Sequence, residues 1–338
     1  MHMSDALINP AVAGTMLVLS ATAAAVSVKK IHGESLDSQE SVARKIPLMG
    51  VMSAFVFAAQ MLNFTIPGTG SSGHLCGGML LSVMLGPWCG FLSMISVLLL
   101  QCLFFADGGL LALGCNVWNM AFYGCFVGSF LIWKPMVSAK VSKTRIMAAS
   151  IIACVLTLQM GAFSVTLETL ISGITELPFK FFVGAMQPIH LAIGAVEGLV
   201  TGAVLCFIYE TRSELLWGVG SSKNSRMTVP SILIVLAICA AVMGGGISLL
   251  ASENPDGLEW SMEKIAGTSE LESEGLLFEK AAGIQDMTSV MPDYNIGEEE
   301  TAAGKSASGL LGSLMVFAFT AGVAVLVRNK NKNKSEEK

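Results

Sequence analysis

Chemistry is most concentrated in two histidines far apart in the chain, His2 and His74. A free amine on residue 1, the deprotonated amide of residue 2 and Nδ1 of a histidine at position 2 close fused five- and six-membered chelate rings around one ion. Those three nitrogens lie in a plane and leave one corner open. His74, in the glycine-rich stretch NFTIPGTGSSGHLCGG (63–78), can fill that corner. Planar nitrogen donors select Ni(II), Cu(II) or Co(II) over Mg, Ca or Zn, and losing an amide proton demands a strongly polarising ion. Such binding releases protons and weakens as pH falls. Taken singly, His2 reads as a frayed terminus and His74 as a satisfied loop histidine. They read as a metal site only if the fold brings them to one face and Met1 is retained. A bulky residue at position 2 hinders its removal.

Other polar residues interrupt apolar runs. Asp107 and Asn116 flank a turn at the same predicted outer face. They suit hydrogen bonding to a ligand histidine, or simply capping. His190 and Glu197 lie two turns apart on one helix face. Ionisable groups inside a membrane are functional by default, so a proton relay competes here with a bond that holds helices together. Glu168 is expected at an interface. Ala21 and Ala25 make a small-residue helix face that fits close packing, either within the bundle or against a partner subunit.

The elements that must position these residues are membrane helices. Of 338 residues, 53% are hydrophobic and 13% charged, about half the charge of a soluble domain. Apolar runs broken at 20–30-residue intervals suit helices rather than the shorter alternating segments of an outer-membrane barrel. Nine crossings are expected, at about 10–28, 47–63, 75–87, 88–105, 109–132, 146–170, 188–210, 230–250 and 308–327, the third short for a bilayer. An outside N-terminus puts sixteen of the twenty Lys and Arg inside, with Lys180, Lys264, Lys280 and Lys305 left outside. The expected fold is therefore an all-α integral membrane protein, N-out and C-in: a seven-helix bundle, residues 1–228, followed by a two-helix module, residues 229–338. Segment 251–307 carries thirteen Asp and Glu against three Lys and is expected outside and largely mobile. The run 11–28 lacks the basic n-region of a cleaved signal. Eight cysteines without a CxxC pair read as buried thiols rather than metal ligands.

Three stretches resemble one family. MHMSDALINPAVAGT, FTIPGTGSSGHLCGGMLLSVMLGP and FFADGGLLALGCNVWNM are similar to the CbiM/NikM substrate-binding (S) components of energy-coupling-factor cobalt and nickel importers. The resemblance covers about residues 1–210. Its most specific parts are Met1-His2, the loop ending in His74, and Asp107-Gly108-Gly109 with Asn116. NPDGLEW (254–260), between two apolar helices, resembles the small CbiN/NikN partner, here fused. The resemblance implies an S-component fold and Ni2+ or Co2+ as transported substrate. It also implies ligation by the Met1 amine, the His2 amide and ring, and the His74 ring. The implied partners are a coupling membrane subunit and ABC-type ATPases in a prokaryotic plasma membrane. This sequence departs from the usual Met-His-Ile opening, with Met3, Asp5 and Ala6 where the family often has other residues.

Several motifs carry nothing. GTGSSG (68–73) matches G-x-G-x-x-G without a βαβ unit around it. NFT (63–65) fits a glycosylation acceptor that nothing else supports. Neither G-x-x-x-x-G-K-[ST] nor H-E-x-x-H occurs, so nucleotide hydrolysis by a P-loop and intramembrane zinc proteolysis are not expected. Two further readings stand beside metal capture. One is a self-sufficient proton-coupled secondary transporter using His190 and Glu197. The other is a membrane metal sensor that moves nothing.

Overall fold

A computed structural model describes the chain except for residues 36–38, 139, 176, 221–226, 270, 272, 297–300 and 337–338. Three of the basic residues expected inside, Lys223, Arg226 and Lys338, lie outside the described residues. The chain runs α1 (Pro10–Ser35), α2 (Gln39–Gln60), a short antiparallel hairpin of β1 (Phe64–Ile66) and β2 (Ser71–Gly73), α3 (Gly78–Leu85) and α4 (Pro87–Phe105). Next come α5 (Leu113–Asn116), a stretch of wide π-type turns (Val117–Trp133) and α6 (Lys134–Ser138), together one 26-residue rod. Then follow α7 (Lys143–Ser172), α8 (Phe179–Arg212), α9 (Val229–Gly245), α10 (Gly257–Ala266), α11 (Leu276–Thr288) and α12 (Ala302–Glu336).

Six of these segments are long and apolar enough to cross a bilayer, with two shorter apolar helices, Lys45–Gln60 and Val229–Gly245. The protein is a multi-pass, mostly helical membrane protein. Glycines set its closest helix contacts. A Cβ on Gly198 of α8 would stand 2.5 Å from the Ile151 Cα of α7, and one on Gly194 2.9 Å from the Val155 Cα. The repeat of glycine every fourth residue thus lets two backbones meet, the usual basis of helix association in lipid. Helix α12 packs along α2 and α9, so the C-terminal helices are joined to the bundle rather than set apart from it.

Two expectations need correction. The stretch 75–87 is not a continuous crossing helix. Its regular part, α3, has eight residues, about 12 Å of rise, and every one of them is buried. Non-helical backbone at 74–77 precedes it, and it reaches the middle of α8, where the Glu197 carboxylate accepts hydrogen bonds from the Cys76 and Gly77 amides, both at 2.9 Å. Irregular backbone at depth is tolerated where protein satisfies it. The described part of segment 251–307, expected to be largely mobile, is folded against the body. It forms α10 and α11 and is strapped to the body: Ser252 N donates to Asn63 O and Ser72 N to Pro255 O, each at 2.8 Å, and Trp260 Nε1 donates to Thr69 O at 3.0 Å.

Candidate metal centre

The N-terminal segment enters the bundle because Met3 is held on both sides. Its N–H donates to Asn116 Oδ1 at 2.7 Å, and its carbonyl accepts from Asn116 Nδ2 at 3.1 Å and from Gly109 N at 2.8 Å. The Met3 side chain is fully buried. Asp5 Oδ1 accepts from Ala112 N at 2.8 Å. Gly109 must be glycine, since a Cβ there would sit 1.9 Å from Asp5 Oδ1. Asn9 ends the segment, taking the Val12 amide on Oδ1 and giving Nδ2 to Ser172 O, and so starts α1.

These anchors bring Met1, His2 and His74 together. The Met1 amine lies 3.1 Å from His74 Nε2. The His2 and His74 rings are stacked, with centroids 5.4 Å apart and planes 18° from parallel. His74 Nδ1 donates to Leu75 O at 3.1 Å, which leaves the Nε2 lone pair to face the amine. His2 Nδ1 pairs with Asp107 Oδ1 at 3.0 Å, and the other Asp107 oxygen accepts from the Tyr294 hydroxyl. Tyr294 continues into a buried amide chain. Gln101 Nε2 donates to the Tyr294 oxygen and to Gln60 Oε1, and Gln60 Nε2 donates to Cys76 O. The His2 side and the His74 loop are thereby tied together from below.

One member of the cluster was quoted in the sequence only as part of NPDGLEW and not as a site residue: Asp256. Its Oδ2 lies 2.5 Å from the Met1 amine and 3.8 Å from His74 Nε2. Its Oδ1 caps α10, accepting from Leu258 N at 2.7 Å and Glu259 N at 2.9 Å, while Glu259 accepts from Asp256 N. The pattern D-x-x-E ahead of an apolar residue is a capping signature; it was the available signal.

Electrostatics follow from this crowding. Burial works against the Asp256 carboxylate, but the Met1 ammonium and then His74 hold it well below the usual carboxylate range. Burial likewise disfavours the Met1 ammonium, yet Asp256 outweighs it, and the amine is raised above its ordinary 8.0. Burial, with the ammonium and His2 beside it, lowers His74 to about 3, so its ring is neutral. Asp107 falls to about 2 because the His2 ring and Tyr294 hydroxyl overcome its burial. A cavity of about 700 Å³, lined by His2, His74, Asp107, Asp256 and Glu259 among others, lies over the cluster.

The remaining expected residues fall elsewhere. Asn116 anchors backbone rather than a histidine ring. Glu197 bonds the His74 loop rather than another helix, and His190 donates Nδ1 to Met186 O of its own helix. The bare His190 Nε2 has no hydrogen-bond partner and borders a small void shared with Met1 and His74. Glu168, expected at an interface, is buried within the protein and accepts from Asn119 Nδ2 at 2.7 Å. Ala21 and Ala25 are exposed on α1. Among the described residues no group of three His, Cys, Asp or Glu side chains is arranged to hold an ion.

Residues 2–215 match the family described as cobalt uptake substrate-specific transmembrane region, and residues 230–329 match the PDGLE domain. The chain is 31% identical to the putative fused nickel transport protein NikMN of Archaeoglobus fulgidus, across 94% of this chain and 96% of that one. It is 29% identical to the probable fused nickel transport protein LarMN of Lactiplantibacillus plantarum, across 78% and 79%. Its fold is similar to the crystal structure of a truncated transition metal transporter, with TM-score 0.53 and 30% identity over 62% of this chain and 99% of that one. The chain belongs to the CbiM family of cobalt uptake substrate-specific transmembrane regions, and carries a PDGLE domain behind that region.

Proposed function

We propose that this chain captures Ni(II) or Co(II) at the outer membrane face, and that a separate coupling membrane subunit with ABC-type ATPases drives its delivery to the cytoplasm. The observation that carries the reading is the convergence of the Met1 amine, His2 and His74. Neighbouring donors about 2.0–2.1 Å from one ion stand about 3 Å apart, and the amine-to-His74 separation is 3.1 Å. The bare lone pair on His74 Nε2 suits a ligand. His2 Nδ1, held by Asp107 in the metal-free geometry, turns from that carboxylate to complete the chelate with its own amide. Transport of nickel by the fused relatives and the cobalt-uptake family support the choice of cargo.

The same reading divides the chain into a capture unit, 1–228, and a two-helix unit with an external segment, 229–338. It places nine crossings, N-out and C-in, with residues 75–77 and α3 together making most of the third. The exposed Ala21 and Ala25 face is the contact for the coupling subunit.

The test is Ni(II) binding to the full chain, with intact mass showing a free Met1, against the same chain carrying five extra Gly and Ser residues before Met1. The extension keeps every native side chain, carries the amine away from His2, and keeps His2 out of the third position, where amine, two amides and ring would form a four-nitrogen chelate of their own. Binding falls at least about a hundredfold if the amine and the position-2 chelate hold the ion. Unchanged binding refutes the reading.

A further inference from the structure

We propose that helix α11 rests on the bilayer, with its outward stripe seated among the lipids of the leaflet nearest the Met1–His74 cluster. The inference needs only a membrane protein and does not depend on the cargo.

Helix α11, Leu276–Thr288, has four distinct sides. Phe278 and Gln285, seven residues apart and so on one face, line the cavity over the cluster. On the opposite side Leu276 and Met287, three turns apart, are 66% and 87% exposed. Of the two edges between these sides, one carries Leu277 and Ile284, both exposed, and the other carries Glu279 and Asp286, exposed as well. Val290 extends the apolar surface past the helix end. Apolar side chains exposed singly need no account, but a contiguous set marks a contact. An apolar outer side with one apolar and one acidic edge suits a helix lying at a lipid–water boundary, acidic edge to water. Lys280 falls on the outer side, where its methylene stem can follow the stripe while the ammonium meets lipid phosphates.

Depth selects lipid as the occupant. Helix α11 packs against α4, a crossing helix, at that helix's last turn. The Ala106 amide turns to Gln101 O there, so the Cys102 carbonyl is free to accept Gln285 Nε2 at 3.0 Å. The Phe104 carbonyl takes the Met291 amide at 3.0 Å. Cys102 lies three residues before the end of α4, about 4.5 Å along the axis. The inner side of α11 is thus held sideways against a membrane span, and its outer side looks sideways into the layer that surrounds the bundle at that depth. That layer is the headgroup and upper acyl region, into which interfacial helices sink their apolar side by about 5–10 Å. Lipid on one side and α4 on the other then hold the cavity wall that Phe278 and Gln285 provide.

The experiment places the full chain in nanodiscs of phosphatidylcholine, with and without bromine on the acyl chains close to the headgroup. Bromine there quenches indoles that reach the acyl boundary. Met287→Trp and Glu279→Trp each add one indole to the five native tryptophans, and the parent chain supplies the background. Both positions are exposed, and Ile284→Trp repeats the reading on the apolar edge if Met287→Trp is unstable. The expected result is loss of at least about half of the added emission in Met287→Trp, at the seating depth of an interfacial helix, and little loss in Glu279→Trp. Equal quenching in the two variants, or none in Met287→Trp, overturns the proposal. Absence of quenching in discs that hold two chains assigns the stripe to a second copy and overturns it as well.

Discussion

On the proposed reading a proton and a metal ion compete for the Met1 amine, and the ion pair with Asp256 gives the sign of that competition. Asp256 raises the amine above 8.0 despite burial. A cation whose folded value is raised contributes ion-pair stability that is complete below its unfolded value and lost as pH climbs through the folded one. The metal-free protein should therefore lose thermal stability as pH rises above about 8, the ordinary value of a terminal amine. Nickel affinity should move the opposite way, because a bound amine must be deprotonated. A plot of log affinity against pH should lose one unit of slope as the amine titrates. His74, already neutral, adds no step. Constant slope through that region would remove the amine from the ligand set. Asn116 acts at the same scale by different means. Asn116→Ala removes both side-chain bonds from Met3, frees the terminus, and should weaken nickel binding about 10–100-fold, as loss of a supporting residue does. Titration calorimetry checks this; unchanged affinity would mean Gly109 and the Met3 side chain suffice.

At the scale of elements, the loop at 74–77 and helix α3 depend on one buried side chain. Glu197 accepts from two consecutive amides, and in Glu197→Gln at least one of them loses its carboxylate acceptor. A buried unpaired donor costs about 1–3 kcal/mol, so the melting temperature should fall, and nickel affinity with it, as His74 loses its seat. Equal stability by thermal unfolding in detergent would show that the loop holds without the clamp. Glu197 also shows what the sequence could express and what it could not. Apolar runs and glycines placed the helices, and the chelating logic of position 2 singled out Met1, His2 and His74, which the fold brings together. The partners of Glu197 are main-chain amides, which carry no residue identity, so it was read as a bond between helices. The stretch 75–87 was read as one continuous helix because hydropathy does not register where the backbone stops being helical. Asp256 went unnoticed because 255 positions separate it from Met1, and only the docking of 252–260 on the hairpin joins them.

For the whole molecule, the proposed function raises the question of which face would meet a separate coupling subunit. Burial differs sharply among the long helices. Some 72% of the best apolar window of α4 is inside the protein, against 17% for α1. Helix α1 thus lies at the rim, and its exposed face contains Ala21 and Ala25 beside Leu17 and Val18. Lipid alone has no need of small residues there, because leucine is as well accommodated by acyl chains. Close approach of another helix does need them. The double substitution Ala21→Leu and Ala25→Leu separates the two cases. It should leave folding and nickel binding by the isolated chain unchanged, since both residues are exposed. It should reduce co-purification with the coupling subunit, and reduce ATP-dependent nickel uptake into cells or vesicles holding the complete transporter by at least about tenfold. The magnitude follows from steric exclusion: several added methyl groups in a close-packed helix contact cost about 1–3 kcal/mol. Uptake equal to the parent protein would assign this face to lipid and move the coupling surface to another helix.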